Sequence, residues 1–245
     1  MRIIAPTKIK VKFALFVALF SILSGLIIGL RAVEKLNAVD ASAQNNAVKT
    51  VIIDAGHGGP DGGTSTEDGV LEKDINLQIA IKLNEILESM GVKTIMTRTQ
   101  DISIHEASAT TIREKKISDI KNRLKIINET DDAVFVSIHQ NHYSESKYSG
   151  TQVFYSKNDP QSQALANSIR LPIITYLQTE NTREIKQSGT DIYLLYHAQK
   201  PAVMVECGFL SNYEETQRLK DDSYQQQLAF LIAIGIMDYF KNTVV

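Results

Sequence analysis

Short apolar runs alternate with longer amphipathic stretches from about residue 50 to the end of the chain. The apolar runs have the length of strands and are rich in β-branched residues, which pack well in sheets. They predict strands at residues 50–54, 93–96, 133–138, 152–155, 191–194 and 202–205.

The stretches between these runs have helical periodicity. In residues 73–90 the apolar positions follow the i, i+4, i+7, i+8 spacing of one buried helical face, and Gly91 supplies a stop. Similar stretches cover residues 112–128, 161–178 and 224–240. The alternation of strand and helix predicts a single three-layer α/β domain, with a mostly parallel sheet and helices on both faces.

The amino-terminal region has a different pattern. Residues 13–30 carry no charge and follow four basic residues, which predicts a transmembrane anchor with residues 1–12 in the cytoplasm. We expect a linker over residues 31–48 and one globular domain over residues 49–245, outside the cytoplasm. A cleaved signal sequence is the alternative, because Ala41-Ser42-Ala43 has cleavage-site character, and the domain would then be secreted.

Composition narrows the possible partners and ligands. Residues 50–245 contain 19 Lys and Arg against 26 Asp and Glu, a net charge of −7, so nucleic acid is not expected as a partner. The single cysteine, Cys207, excludes an internal disulfide and a Cys-rich zinc site. A metal site in this domain must therefore be built from histidine and carboxylate.

Two predicted strands end on a histidine, His57 between glycines and His139 after an apolar run. Taken alone, each histidine is explained by a turn or by packing. Taken alone, Glu72 is explained by a favourable interaction with the dipole of the helix whose first turn it occupies. If both strands belong to one parallel sheet, the two imidazoles lie at the same edge, and the start of the first helix can bring Glu72 between them. Two histidines and one glutamate form a hydrolytic zinc set with a fourth position for water.

The chain also contains five motifs in a characteristic order. They are Asp-Ala-Gly-His-Gly-Gly from residue 54, Glu-Lys-Asp-Ile-Asn-Leu from residue 72, Thr-Arg-Thr from residue 97, Ser-Ile-His-Gln-Asn from residue 137, and Pro-Ala-Val-Met-Val-Glu-Cys-Gly-Phe-Leu-Ser-Asn from residue 201. In these motifs the domain resembles the zinc-dependent N-acetylmuramoyl-L-alanine amidases of bacterial cell-wall metabolism.

The resemblance implies roles for four residues. His57, Glu72 and His139 would bind one Zn²⁺ ion, and Glu206 would be the catalytic carboxylate. It also implies a mixed sheet, and hydrolysis of the peptidoglycan amide between the lactyl group of N-acetylmuramic acid and L-alanine. A zinc peptidase or carboxypeptidase acting on the stem peptide, and a non-catalytic wall-binding protein, remain alternatives.

A narrower resemblance is to the germination-specific spore-cortex amidases. It rests on an anchor, one catalytic domain without wall-binding repeats, and the connection over residues 108–128. It implies action on the cortex as a step towards muramic-δ-lactam, in the cell wall or the forespore intermembrane space. No helical segment of the sequence resembles a plug over the active site, so we expect open access; an activating or tethering protein is not identifiable.

Two residues near the motifs are not assigned to the site. His142 lies three residues after His139, which places the two side chains on opposite faces of a strand, so it is left out of the ligand set. Cys207, beside Val205 and Phe209, is interpreted as a small buried hydrophobe.

Five further residues are open to more than one interpretation. Asp54 is a candidate to support His57 through a hydrogen bond, as metal-binding histidines usually require. Arg98 and Asn141 could orient ligands or substrate, although a surface salt bridge or a turn hydrogen bond would explain either. His105 and His197 are interpreted as ordinary surface or core histidines.

Overall fold

The computed structural model describes residues 49–66 and 68–243. The expected cytoplasmic segment, anchor and linker, residues 1–48, lie outside these ranges. Among the helices of the described ranges, none has both the length and the hydropathy of a membrane span.

One six-stranded sheet runs through the described domain. Its strands are β1 (Thr50–Ala55), β2 (Lys93–Met96), β3 (Ala133–Asn141), β4 (Gln152–Tyr155), β5 (Lys186–Gln187) and β6 (Ala202–Phe209). They lie in the order β2-β1-β3-β6-β4-β5. Strands β2, β1, β3 and β6 are parallel, whereas β4 is antiparallel to β6. The sheet is therefore mixed. The carboxyl ends of its four parallel strands β2, β1, β3 and β6 lie at the same edge.

Helices cover both faces of this sheet. They are α1 (Glu72–Ser89), α2 (Ile112–Glu129), α3 (Gln161–Tyr176), α4 (Tyr193–His197), α5 (Tyr213–Lys220) and α6 (Asp222–Thr243). Alternate residues of β1 separate the two cores: Val51 and Ile53 pack with α1, α3 and α6, and Ile52 packs with α2 and α4. This arrangement confirms the three-layer α/β domain that the alternating pattern predicts.

The prediction of a strand at residues 191–194 is wrong. Tyr193–His197 form α4, and Leu194 and Leu195 are buried on the α2 side of the sheet. A four-residue apolar run does not distinguish a strand from a buried helical turn, and packing decides between them. The edge strand is instead Lys186–Gln187, whose exposed polar residues carry no strand signal.

The structure also extends two strands and adds a helix. β3 continues to Asn141 with an irregularity after His139, and β6 continues to Phe209. Helix α5 has few apolar residues and is capped by the Asn212 side chain, which accepts a hydrogen bond from Glu215 N. The hydrophobic pattern did not predict these extensions or this helix, because the residues there are largely glycine and polar side chains.

A buried ion pair holds the carboxyl end of β1 to α2. The Asp54 and Arg123 side chains are 1% and 3% exposed, and an Arg123 Nη atom donates to Asp54 Oδ1. Asp54 also accepts hydrogen bonds from Thr97 Oγ1 at 2.8 Å and Ser137 Oγ at 2.6 Å. Burial alone would raise the pKa of Asp54, but the Arg123 charge and the Ser137 hydrogen bond outweigh it and lower the pKa to about 2. The carboxylate therefore stays ionised inside the domain.

We expect Asp54→Asn to lower the free energy of unfolding by about 3 kcal/mol, because it removes the buried one of the two carboxylates that pair with Arg123 and leaves only Asp119, at 2.7 Å. The contribution of wild-type Asp54 is present above its ordinary pKa of 3.8 and is lost as the pH falls through about 2. Urea unfolding at several pH values measures both effects. The exposed Asp131→Asn is the control; equal stability of the two variants at pH 7 would contradict the expectation.

Candidate metal centre

The loop after β1 presents His57 in a conformation that is unusual for a residue with a side chain. His57 has a φ of 61°, in the left-handed region. Such a conformation costs on the order of 1 kcal/mol and persists only when the surroundings hold it. The loop is therefore held by contacts elsewhere in the structure.

Two buried arginines make these contacts. Arg98 donates from Nε to Ala55 O at 2.8 Å and from an Nη atom to Gly56 O at 2.9 Å. Arg123 donates to Ala55 O at 2.9 Å and to His57 O at 2.7 Å. Arg98 is thus an internal residue that fixes the loop carrying His57, and the surface salt bridge considered for it is wrong.

Two glycines allow the side chains of the site to approach the backbone. A Cβ atom on Gly56 would lie 2.1 Å from Nε2 of His139, so the His139 ring packs directly against the backbone of the loop. A Cβ atom on Gly63, whose φ is +71°, would lie 2.5 Å from Glu72 Oε2 and 2.7 Å from the His57 ring. Larger residues at either position would displace the donor groups themselves.

The structure brings His57, Glu72 and His139 together. Glu72 Oε1 lies 3.2 Å from His57 Nε2 and 3.0 Å from His139 Nδ1. One donor atom from each residue lies within 4.8 Å of the others, and no second group of this kind occurs in the described ranges. The three residues come from a loop, the first turn of α1 and the end of β3, so the fold alone makes them neighbours.

Backbone and amide groups fix the Glu72 carboxylate. It accepts hydrogen bonds from Thr64 N at 2.9 Å, Asn76 Nδ2 at 3.2 Å and Gln140 N at 3.2 Å. Burial would raise the pKa of Glu72, but hydrogen bonds to His139 and His57 outweigh it and hold the pKa well below its usual range. An ionised carboxylate beside two imidazoles is a suitable donor set for a divalent metal.

Asp61 orients the ring of His57. Asp61 Oδ2 lies 3.0 Å from His57 Nδ1, and Lys116 Nζ of α2 lies 2.7 Å from Asp61 Oδ1. Burial would lower the pKa of His57, but the hydrogen bonds with Asp61 and Glu72 outweigh it and raise the pKa to about 9. With Nδ1 bonded to Asp61, Nε2 of His57 faces the other donors.

The prediction that Asp54 supports His57 through a hydrogen bond is therefore wrong. The Asp54 carboxylate accepts hydrogen bonds from Arg123, Thr97 and Ser137 instead. Sequence reasoning missed Asp61 because it lies in a Gly-Pro-Asp-Gly-Gly segment, where aspartate is typical of a turn. Its spacing of four residues from His57 was the available signal.

Glu206 lies next to the donor cluster. It is paired in register with His139 across β3 and β6, so both side chains lie on the same face of the sheet. Glu206 Oε2 is buried and has no hydrogen-bond partner in the described structure. Burial and the charge of Glu72 raise the pKa of Glu206 to about 7, against the opposing effect of the histidines. Such a carboxyl group can accept and donate a proton near neutral pH.

The residues left outside the predicted ligand set also lie outside the cluster. His142 is exposed beyond the end of β3. Cys207 is fully buried, and burial raises the pKa of its thiol well above the usual range. His105 contacts Ser103 Oγ, and His197 packs against aromatic rings in α4.

The two imidazoles are accessible from one side of the sheet. His57 and His139 line a cavity of about 400 Å³, together with Arg123, Tyr193 and Met204. Met204 and Tyr193 supply an apolar wall beside the donor cluster. A small polar group can therefore reach the site from the face covered by α2 and α4.

Comparison with known proteins gives consistent matches. The family model for N-acetylmuramoyl-L-alanine amidase matches residues 51–238. The germination-specific N-acetylmuramoyl-L-alanine amidase of Bacillus subtilis (strain 168) is 34% identical over 194 residues, which cover 79% of this chain and 81% of that protein.

Solved structures give the same result. The CwlD amidase from Clostridioides difficile, in complex with the GerS lipoprotein, has a TM-score of 0.76 and 43% identity, covering 79% of this chain and 99% of that chain. An N-acetylmuramoyl-L-alanine amidase from Clostridium difficile 630 has a TM-score of 0.70 and 31% identity, covering 81% of this chain and 100% of that chain.

If the cluster binds a divalent metal, we expect Asp61→Asn to weaken the affinity for added Zn²⁺ by about 10- to 100-fold, because a neutral amide polarises the His57 ring less than a carboxylate does. Competition against a chromophoric chelator measures the affinity. Asp68→Asn is a matched control on the same loop, because Asp68 is exposed and pairs with Lys220. Unchanged affinity in Asp61→Asn would show that the contact does not position a metal ligand.

Proposed function

The chain belongs to the N-acetylmuramoyl-L-alanine amidase family, and from that premise we propose a zinc-dependent hydrolase of peptidoglycan. It would cleave the amide bond between the lactyl group of N-acetylmuramic acid and L-alanine of the stem peptide. The observation that carries the proposal is the convergence of His57, Glu72 and His139 beside the unpaired Oε2 atom of Glu206.

The donor chemistry fits a zinc ion. Two imidazoles and one carboxylate form the protein ligand set of hydrolytic zinc sites, and here hydrogen bonds hold both His57 and Glu72 in place. Zinc bound to these residues would supply Lewis acidity, which activates water and polarises the scissile carbonyl. Other divalent ions can bind such a set, so the metal is part of the proposal.

Glu206 would move the proton. Its carboxylate accepts a proton from the attacking water and then donates it to the leaving nitrogen of L-alanine. A pKa raised to about 7 by burial suits both steps, since neither protonation state is strongly favoured at neutral pH.

The family match favours this reaction over the two alternatives. A zinc peptidase would use the same donors but would cut between amino acids of the stem, and the family model that matches residues 51–238 describes an amidase. A non-catalytic wall-binding protein would have no use for a buried, unpaired carboxylate beside a potential metal site.

We extend the proposal to the spore cortex as substrate, with the reaction as a step towards muramic-δ-lactam. It is supported by the B. subtilis relative, which is named germination-specific. Residues 13–30 would anchor residues 49–245 outside the cytoplasm, in the cell wall or the forespore intermembrane space; after cleavage, the domain would be secreted.

A protein partner forms a separate part of the proposal. The similar CwlD amidase was solved in complex with the GerS lipoprotein. We therefore propose a lipoprotein as the activating or tethering protein that the sequence left unidentified. Because His57 and His139 already line an open cavity, such a partner need not remove a covering segment of the described domain.

We expect Glu206→Gln to reduce amide hydrolysis by about 10²- to 10⁴-fold, because the amide cannot accept a proton from water. Metal analysis of the same preparation should still find one zinc per chain. Glu214→Gln, an exposed glutamate after β6, is the control. Equal turnover by Glu206→Gln and wild type would exclude the proposed role and favour the non-catalytic interpretation.

Digestion of purified cortex and vegetative sacculi by the zinc-loaded protein tests the substrate. We expect mass spectrometry to find free peptides that begin with L-alanine, and glycan with bare lactyl groups, at a higher rate from cortex. Cleavage between amino acids of the stem peptide would favour the peptidase. Equal rates of hydrolysis on cortex and on vegetative sacculi would contradict the proposal that the cortex is the substrate. A sample without added metal is the control.

A further inference from the structure

A second cavity, of about 730 Å³, lies at the β4 side of the sheet. Gln152 is one of its lining residues and pairs in register with Glu206 across β4 and β6. Residues paired in this way lie on the same face of a sheet, with Cβ atoms about 5 Å apart. The cavity therefore begins one strand away from Glu206.

The lining of this cavity has an excess of positive charge. Three lining cations, Arg183, Lys186 and Arg218, have no carboxylate within 4.0 Å in the described ranges, unlike Lys147, which pairs with Glu145. An anion that enters the cavity would thus meet three cations that form no direct ion pair, with the charge of Glu215 acting on Arg183 and Arg218 from a longer distance.

Two of the acidic lining residues are already engaged. Glu215 is buried and accepts hydrogen bonds from Gly150 N at 2.8 Å and Phe209 N at 2.7 Å. Glu184 pairs with Arg170 at 2.8 Å. Because backbone N–H groups are uncharged, Glu215 and the exposed Glu180 together offset two of the three unpaired cations and leave an excess of one positive charge.

Arg183 is held in one orientation. Its guanidinium lies 4.6 Å from the ring centroid of Phe209 and 5.8 Å from that of Tyr148. Its Nε atom donates to Ser149 O at 2.8 Å, and its Nη atoms have no partner in the described structure. A stacked guanidinium with free Nη atoms is a preformed fork for a carboxylate.

We propose that this cavity binds a carboxylate of the stem peptide and that Arg183 determines the preference for the acidic form. This inference rests on the proposed function, because it identifies the part of the substrate that extends from the scissile amide. The peptide is the source of the anion, since it carries free carboxylates, whereas the N-acetylated sugars of the glycan are neutral. Lys186 and Arg218 add to the positive potential around Arg183.

Two N-acetylmuramoyl peptides of equal length test the proposal, one with free carboxylates and one with every carboxylate amidated. We measure kcat and KM for the full chain with zinc. Wild type should favour the acidic substrate. Arg183→Gln should raise KM for that substrate by about tenfold, the loss expected for one charge-assisted hydrogen bond, with kcat and the amidated substrate nearly unchanged.

Matched variants separate recognition from general effects of charge or folding. Lys93→Gln removes an exposed positive charge from β2, at the opposite edge of the sheet, and should leave both KM values unchanged. Arg183→Lys keeps the charge without the fork and should recover part of the preference. Arg218→Gln, at an exposed position, should raise KM selectively even if Arg183→Gln does not fold.

Equal effects of Arg183→Gln on both substrates, or no wild-type preference, would overturn the proposal. If wild type cleaves neither substrate, the proposed function fails, and calorimetry still decides the cavity proposal. The free acidic peptide should then bind wild type about tenfold more tightly than Arg183→Gln, and the amidated peptide should bind both equally. Equal affinities for the acidic peptide would overturn it.

Discussion

The site depends on how two buried guanidinium groups hold one strained loop. Arg98 and Arg123 donate hydrogen bonds to the carbonyl oxygens of residues 55–57, and His57 remains in the left-handed region as a result. Arg123 itself is stabilised by Asp54, whose carboxylate is buried in the sheet. Without this arrangement the loop would relax to an ordinary turn, and His57 would move away from Glu72 and His139.

Two glycines allow the close packing around the donors. Gly56 and Gly63 have no Cβ atoms, and the space that they leave is occupied by His139, Glu72 and His57. The donors therefore contact the backbone directly and have little freedom to separate. Such preorganisation favours metal binding, because few side-chain rotations have to be lost when an ion binds.

The row of residues along the strand ends connects the chemistry to recognition. His139, Glu206 and Gln152 lie side by side on β3, β6 and β4, in that order. The first belongs to the donor cluster, the second is the proposed catalytic carboxylate, and the third lines the cavity with excess positive charge. A substrate lying across this row would place its amide and its acidic groups over different strands of one rigid sheet.

The amino-acid sequence by itself determined the layered fold, five of the six strands and the identity of the residues that converge. These properties follow from local periodicity and from motifs that are continuous along the chain. Only the tertiary structure decided that residues 193–197 form a helical turn, and that Asp61 rather than Asp54 contacts His57. The first outcome depends on packing against α2, which is far away in sequence. The second depends on the direction of the loop after β1, which the distant Arg98 and Arg123 fix through its carbonyl oxygens.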